Sequence, residues 1–189
     1  MQELKIHQGD CLESMEWMSD ETVQCCVTSP PYFGLRDYGV EGQIGLEETP
    51  EQYVMKMVEV FREVRRILKP DGTLWLNLGD SYAGGGGGNY SKSEKQTPHG
   101  EHITNVRNKP GWLDAAGMKP KDLMGMPWRV AFALQAAGWY LRQDIIWHKP
   151  NPMPESVTDR CTKSHEYLFL LTKSERYYFD ADAIKADAV

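Results

Sequence analysis

Two adjacent prolines directly after a short apolar run most strongly constrain how this chain can fold. Val23 to Thr28 is rich in apolar and β-branched residues, which predicts a strand. Pro30 and Pro31 cannot donate a hydrogen bond to a strand ladder, and Pro30 also disfavours helical backbone at Ser29. The sequence therefore predicts a stiff corner at the carboxyl end of a strand, where open α/β sheets bind ligands.

The groups at this corner suit one kind of chemistry. The exocyclic amine of a nucleobase is a poor nucleophile because its lone pair is delocalised into the ring. The Ser29 hydroxyl and the Pro30 carbonyl are candidate acceptors for the two N–H groups of such an amine, which would free that lone pair. The Tyr32 ring is a candidate stacking surface for a base flipped out of a duplex. An ordinary proline turn is the alternative for a tetrapeptide of this kind.

The segment Thr28-Ser29-Pro30-Pro31-Tyr32 resembles the catalytic motif of the amino-methyltransferases, which methylate cytosine N4 or adenine N6 in DNA. Its Ser-Pro-Pro-Tyr form resembles mostly the cytosine-N4 enzymes. Its place near the amino terminus resembles the β-class order, in which the catalytic half precedes the cofactor half. Further matching segments occur along the chain, at Gly9-Asp10-Cys11-Leu12, Leu68 to Asp80 and Trp147-His148-Lys149-Pro150.

The resemblance implies the Rossmann-like fold of the S-adenosylmethionine-dependent methyltransferases. It also implies S-adenosylmethionine as cofactor, double-stranded DNA as partner, a part in restriction-modification and a cytoplasmic location in a bacterial, archaeal or phage-infected cell. The residues it points to are Ser29, Pro30, Pro31 and Tyr32 for catalysis, Asp10, Cys11 and Ser29 for the cofactor, and Tyr32, Phe33, Trp147 and Lys149 for the substrate.

Several positions keep more than one interpretation. Asp10 also fits the cap of a helix from Cys11 to Met18, a role compatible with a cofactor contact. Asp80 follows a strand and either faces the cleft or caps a loop. Arg36, Asp37 and Tyr38 either line a base pocket or belong to a solvated loop. The cysteines show no metal-ligand spacing, so we expect structural thiols and no metal site.

Periodicity predicts an α/β fold with a mostly parallel sheet, helices on both faces and an antiparallel hairpin near the carboxyl end. Thr49-Pro50-Glu51-Gln52 has the cap, the proline and the capping-box residue of a helix start. The strand–helix–strand order that follows predicts a right-handed parallel crossover. We expect strands at Leu4 to Gln8, Thr73 to Leu78, Tyr140 to Trp147 and Tyr167 to Thr172, a return strand at Tyr177-Tyr178-Phe179, and a helix from Met126 to Ala137.

Length and composition favour a single globular domain over residues 1–189, which the resemblance implies is the N-terminal, catalytic portion of a methyltransferase. No apolar run approaches the ~18 residues of a membrane span, so we expect no membrane partner. Gly84 to Gly88 opens a polar stretch and predicts a flexible insertion at about 83–112. The chain has a net charge of −6, and only residues 89–121, with six basic and three acidic side chains, offer a basic surface. A plain polar loop explains that segment equally well.

The glycine-rich cofactor loop of the family, a Phe-x-Gly-x-Gly pattern after a strand, does not occur in this sequence. Three interpretations stay open: a truncated or inactive form, one subunit of a split enzyme whose second polypeptide carries the loop, or weak cofactor binding by this chain alone. The favoured function is methyl transfer to an exocyclic base amine, cytosine N4 before adenine N6. The alternative is a catalytically incomplete DNA-binding fragment. A generic nucleotide-binding domain would need a dinucleotide fingerprint that is missing.

Overall fold

The structure, a computed structural model, describes residues 4–84, 113 and 117–185. Along these residues the chain forms α1 (Cys11–Glu16), β1 (Val23–Thr28), α2 (Pro50–Ile67), β2 (Leu68–Leu78), α3 (Met126–Ala136), β3 (Tyr140–His148) and β4 (His165–Thr172). The four strands form one sheet in the order β1-β2-β4-β3. The predicted strands Val23 to Thr28, Thr73 to Leu78 and Tyr140 to Trp147 therefore belong to the same sheet. The predicted insertion at about 83–112 lies outside the described residues, apart from its first two positions.

Three of the four strands run in one direction. β1 pairs with β2 in parallel, whereas β4 lies between β2 and β3 and is antiparallel to both. An antiparallel element near the carboxyl end is therefore present, but β4 pairs with β2 and β3 and not with a return strand in a hairpin. The predicted return strand at Tyr177-Tyr178-Phe179 is wrong, because both edges of β4 are already paired. The Tyr178 N–H instead donates to the Asp71 carbonyl over 3.0 Å.

The helices α2 and α3 share one face of the sheet. They contact each other, and their buried side chains form a single core with Leu74, Leu76 and Leu78 of β2. Both crossovers, β1–α2–β2 and β2–α3–β3, advance the same way along the sheet. Right-handed crossovers that advance the same way leave their helices on the same face. The prediction of helices on both faces is therefore wrong for the described residues.

The first described residues do not form the strand that the sequence predicts. Residues 4–8 form no strand, and Leu4 and Ile6 are both 87% exposed. A short segment forms a strand only beside a partner, and residues 4–8 pair with none of the four strands of the described sheet. Asp10 does cap α1, because its Oδ1 accepts from the N–H groups of Leu12 at 2.8 Å and Glu13 at 3.3 Å.

The starts of α2 and α3 show how local sequence sets helix ends. Thr49 and Gln52 form the predicted capping box, with both reciprocal hydrogen bonds present. Gly125, the residue before α3, has no side chain to cap with. Asp80 supplies that cap from the end of β2, since its Oδ1 accepts from the N–H groups of Ser81 at 2.9 Å and Met126 at 3.0 Å. This confirms the capping role for Asp80. No helix in the described residues is long and apolar enough to cross a membrane.

We expect Asp80→Ala to lower the free energy of unfolding by about 1 kcal/mol, because it removes the acceptor for the Met126 N–H at the start of α3 and for the Ser81 N–H in the loop after β2. Asp80→Asn keeps an acceptor oxygen and should retain most of that stability. Urea unfolding followed by circular dichroism measures both. Asp182→Ala is the matched control at an exposed loop position. Equal midpoints for Asp80→Ala and the parent chain would contradict the capping role.

Candidate functional site

The proline corner borders a cavity at the carboxyl end of β1. This cavity has a volume of about 290 Å³ and is lined by Ser29, Pro30, Pro31, Tyr32, Leu35, Arg36 and Tyr38. The loop after the corner therefore supplies Arg36 and Tyr38 to the wall. Asp37 has a local role, since its carboxylate accepts from the Gly39 N–H over 2.8 Å.

A buried amide next to this cavity sets the direction of the hydrogen bonds. The Oδ1 atom of Asn77, in β2, lies 2.7 Å from the Tyr32 hydroxyl and 3.3 Å from the Ser29 hydroxyl. The Asn77 Nδ2 donates to the Tyr167 carbonyl over 3.2 Å, which fixes the orientation of the amide. Oδ1 can only accept, so it offers an acceptor to both hydroxyls, and the Ser29 hydroxyl also lies 3.2 Å from the Tyr32 oxygen. A Ser29 hydroxyl that donates to either of these oxygens keeps lone pairs on its Oγ that can accept from a ligand.

An ion pair holds the same tyrosine from its other side. The Tyr32 hydroxyl lies 3.1 Å from Glu166 Oε2, and Glu166 Oε1 pairs with the Lys149 ammonium. Burial raises the pKa of the Tyr32 hydroxyl, and the Glu166 charge adds to this rise. Burial alone would also raise the pKa of Glu166. The hydrogen bond and positive charge of Lys149, with hydrogen bonds from Tyr32 and Asn77, outweigh burial and hold that pKa below its ordinary value.

One packing contact and one hydrogen bond fix the corner in place. The Tyr32 ring lies against Gly79, where an added Cβ would come within 2.5 Å of the ring carbon Cε2. The hydroxyl of Tyr53, in α2, donates to the Pro31 carbonyl over 3.0 Å. That bond occupies the Pro31 carbonyl, so the Pro30 carbonyl stays our candidate acceptor for a substrate amine.

The predicted substrate contacts fall into two groups. Trp147 is 55% exposed and shares with Ser29 a second, apolar cavity of about 550 Å³. Lys149 reaches the corner through Glu166. Phe33 lines neither cavity, because its ring is 2% exposed and packs against Tyr53 in the core, and its substrate role stays a prediction. The chain turns after the prolines, so the ring that follows Tyr32 faces inward rather than into the cavity.

Of the three residues predicted to contact the cofactor, only one lies at the proline corner. Ser29 lies at the corner, whereas Asp10 and Cys11 lie at the start of α1 and line neither cavity. Their cofactor roles stay predictions. Within the part of the chain that the structure describes, no group of three or more histidine, cysteine or acidic side chains could hold a metal ion.

Three residues of the site were not predicted from the sequence: Asn77, Gly79 and Glu166. Asn77 had a usable signal, since it is the polar residue in the apolar run Leu74 to Leu78, and buried amides need partners. Gly79 and Glu166 carried no comparable signal, because only the packing of β2 and β4 brings them to Tyr32.

This fold, with a serine-proline corner at the carboxyl end of a strand, defines a methyltransferase-like α/β protein. Residues 23–188 match the model of a family described as DNA methylase. The chain therefore belongs to this DNA methylase family.

Curated relatives agree with the family match. Type II methyltransferase M.SmaI of Serratia marcescens is 53% identical over 184 residues, which are 97% of this chain and 61% of that protein. M.Cfr9I of Citrobacter freundii is 50% identical over 182 residues, which are 96% of this chain and 58% of that protein. The chain thus spans about 60% of the length of these relatives.

Solved structures show the same fold. The cytosine-N4-specific PvuII DNA methyltransferase matches with a TM-score of 0.61 and 19% identity, over 94% of this chain and 52% of that one. A DNA modification methylase of Thermus thermophilus, solved with S-adenosyl-L-methionine, matches with a TM-score of 0.58 and 21% identity, over 93% of this chain and 55% of that one. At these identities the likeness establishes the fold alone.

We expect Gly79→Ala to destabilise the chain by about 1–3 kcal/mol, because the new methyl group would overlap the Tyr32 ring. Gly79 does not have a positive φ, so its backbone accepts alanine without strain. The same substitution in a Tyr32→Ala background should cost much less, since the ring is gone. A double-mutant cycle by urea unfolding measures the difference. Equal costs in both backgrounds would show that the ring does not pack on Gly79.

We expect the stability difference between the parent chain and Glu166→Gln to depend on pH. A carboxylate with a lowered pKa stabilises the folded state where it is ionised. That contribution is full above the pKa of the unfolded chain and is lost as pH falls through the folded value. The difference should therefore be present at neutral pH and shrink below about pH 4.3. Urea unfolding across this range tests it, with exposed Glu41→Gln as control. A difference independent of pH would contradict an ionised Glu166.

Proposed function

We propose that this chain is the catalytic portion of a DNA methyltransferase that transfers a methyl group from S-adenosylmethionine to an exocyclic base amine. The observation that carries the proposal is the position of the Ser29 hydroxyl, which lines the 290 Å³ cavity within hydrogen-bonding distance of Tyr32 and Asn77. We further propose that residues 1–189 form one catalytic domain, since the described helices and strands share a single core.

The site supports attack by an amine through the acceptors it offers. The Ser29 Oγ has lone pairs that can accept a hydrogen bond. The Pro30 carbonyl can also accept one, and proline has no backbone N–H that would compete for it. Two acceptors aimed at the two N–H groups draw the nitrogen toward tetrahedral geometry, so that its lone pair leaves the ring system. Such acceptors help when they are positioned before the reaction. Asn77, Gly79 and Tyr53 provide that positioning through the contacts described above.

We infer cytosine N4 as the preferred target and double-stranded DNA as the partner. The Ser-Pro-Pro-Tyr form resembles the cytosine-N4 enzymes, and the PvuII enzyme of similar fold is cytosine-N4-specific. The similar curated proteins are Type II methyltransferases of bacteria, which supports a part in restriction-modification, and we propose a cytoplasmic location with it. The target base would leave the helix to reach the cavity, where the half-buried Tyr32 ring is available for stacking.

The described residues fit part of the proposed cofactor. Asp10 is exposed, and only its Oδ1 is used to cap α1, so a carboxylate oxygen is available for the hydroxyl groups of an adenosine. Ser29 and Trp147 border the apolar cavity beside the reacting position. S-Adenosylmethionine, when bound, supplies the electrophilic methyl group. The chain contains no Phe-x-Gly-x-Gly segment to hold the methionine end, so we propose that a further portion of polypeptide supplies it.

We expect Ser29→Ala to lower methyl transfer on the order of 10²-fold while leaving DNA binding near its original level. The hydroxyl acts on the amine as it attacks, so its loss falls on the transition state, as for a single oxyanion donor. Tyr32→Ala should instead weaken capture of the flipped base by roughly 1–3 kcal/mol. Single-turnover transfer from labelled S-adenosylmethionine, in an assembly that includes a cofactor-binding portion, separates the two effects, and mass spectrometry identifies the methylated base.

The control for these variants is Ser19→Ala, a serine lost from an exposed position away from the cavity. It should transfer methyl at the parent rate. The catalytic assignment fails if Ser29→Ala also transfers at the parent rate while Tyr32→Ala binds DNA normally. Methylation of ring carbon 5 instead of an amine would equally contradict the proposed chemistry.

A further inference from the structure

A further cavity lies where the carboxyl-terminal ends of α2 and α3 meet. It has a volume of about 230 Å³ and is lined by three arginines and three other residues, which are Val58, Arg62, Arg65, Arg66, Ala137 and Trp139. The arginines are three and four positions apart in α2, a spacing that puts them on one face of the helix. Three guanidinium groups therefore border one small cavity.

This arginine cavity is separate from the proline corner. α2 leads directly into the start of β2, whereas Ser29 follows the far end of β1, the parallel neighbour of β2. The six residues of β1, at about 3.3 Å each, put roughly 20 Å between those two ends of the sheet. No residue of the arginine cavity lines either cavity at Ser29. A duplex whose base reaches the corner would therefore lie at the opposite end of the sheet.

Arg66 already has a full set of partners. Its guanidinium donates to the carboxylates of Glu63 and Asp20, at 2.7 Å each. It also donates to the carbonyls of Met15 and Met18, at 2.8 Å each. Two acidic partners balance its charge, and most of its N–H groups are used to join α1 and the loop after it to α2. Arg66 is therefore a structural residue at the edge of the cavity.

The charges of Arg62 and Arg65 have no such balance. Arg62 is exposed and pairs with no described residue. The Arg65 Nη2 donates to the Lys173 carbonyl over 3.3 Å, and its Nε is buried without a hydrogen-bond partner in the part of the chain that the structure describes. A buried donor on a cation is costly unless an acceptor satisfies it. An anion in the cavity would supply the missing charge.

The acidic side chains near the cavity are already occupied. Each carboxylate on the last three turns of α2 and in the loop before β1 has a basic partner. The pairs are Glu59–Lys56, Glu63–Arg66, Asp20–Arg66 and Glu21–Lys173. None of these carboxylates is therefore left to neutralise the two remaining arginines.

We propose that the arginine cavity binds an oxyanion of the phosphate class, held by Arg62 and Arg65. The planar guanidinium presents paired N–H groups that match two oxygens of one phosphate group. The source of the phosphate is either a free inorganic ion or a small nucleotide whose body lies against Val58. The inference does not depend on the proposed function, because none of these residues belongs to the proline corner.

The test uses the chain of 189 residues and inorganic phosphate, with ionic strength held constant by sodium chloride. The Arg65 Nε–H is shielded from water, so we expect a slowly exchanging NMR signal, which Arg65→Lys identifies by removing it. This signal should shift saturably with phosphate and not with chloride. Pyrophosphate and adenosine diphosphate are titrated in the same way. Tighter binding of the diphosphate nucleotide assigns a nucleotide, and equal or weaker binding assigns an inorganic ion.

Variants give a second readout, the Kd calculated from the rise in Tm with phosphate concentration. Arg62→Gln should raise that Kd on the order of tenfold, since it removes one charged donor group, and it should fold because Arg62 has no partner to lose. Arg65→Lys keeps the charge but loses the paired N–H groups, and should weaken binding to a similar extent. Arg176→Gln, at an exposed position outside the cavity, is the matched control and should leave Kd unchanged.

Three outcomes would overturn the phosphate site. In the first, the parent chain, Arg62→Gln and Arg65→Lys have the same Kd, so that the arginines serve only the end of α2. In the second, a short DNA duplex displaces phosphate, and Arg62→Gln weakens binding of the duplex as much as that of phosphate, which assigns the cavity to DNA. In the third, Ser29→Ala abolishes phosphate binding, which places the ion at the proline corner. Phosphate binding that survives Ser29→Ala supports the site whatever the outcome for methyl transfer.

Discussion

The hydrogen bond between the Tyr32 hydroxyl and the Asn77 Oδ1, 2.7 Å long, joins the proline corner to the centre of the sheet. Asn77 is a buried amide in an apolar strand, where an unsatisfied polar group costs about 1–3 kcal/mol. Its Nδ2 is satisfied by the Tyr167 carbonyl, and its Oδ1 by the hydroxyls of Tyr32 and Ser29. The Asn77 Oδ1 is thus an acceptor shared by both hydroxyls, and it ties the two side chains of the corner to the same point in the sheet.

In the same region, an ion pair links β3 and β4 to the tyrosine that follows β1. Glu166, at the start of β4, reaches the Tyr32 hydroxyl, and Lys149, just after β3, pairs with Glu166. Because β4 runs opposite to its neighbours, its amino-terminal end lies beside the carboxyl ends of β2 and β3. The antiparallel strand therefore brings a carboxylate to the edge of the sheet where the parallel strands end. A fully parallel sheet would place the start of that strand at the opposite edge.

The two faces of the sheet differ because of the order of its strands. Two crossovers that advance the same way put α2 and α3 on one face, where Leu74, Leu76 and Leu78 are buried. The other face keeps Val27 and Trp147 exposed next to Ser29. The proline corner thus lies between a closed core and an open apolar surface.

Local features were predictable from the sequence where the interacting residues are neighbours in the chain. The capping box of Thr49 and Gln52, the Asp10 cap and the strand before the proline corner all depend on contacts within a few residues. The predicted strands at Leu4 to Gln8 and Tyr177-Tyr178-Phe179 were wrong, because a strand also needs a partner: residues 4–8 pair with no strand of the described sheet, and both edges of β4 are already paired. Apolar character alone cannot show whether such an edge exists.

The sequence by itself determined the family, the proline corner and the side chains that the corner can present, since backbone restrictions at proline act locally. The tertiary structure decided which distant groups meet there. Asn77 is 45 residues from Tyr32 in the chain, and Glu166 is 134 residues away. It also decided that Phe33 is buried while Val27 is exposed. These outcomes depend on strand order and register, which arise from packing across the whole sheet and leave no trace in the spacing of residues along one segment.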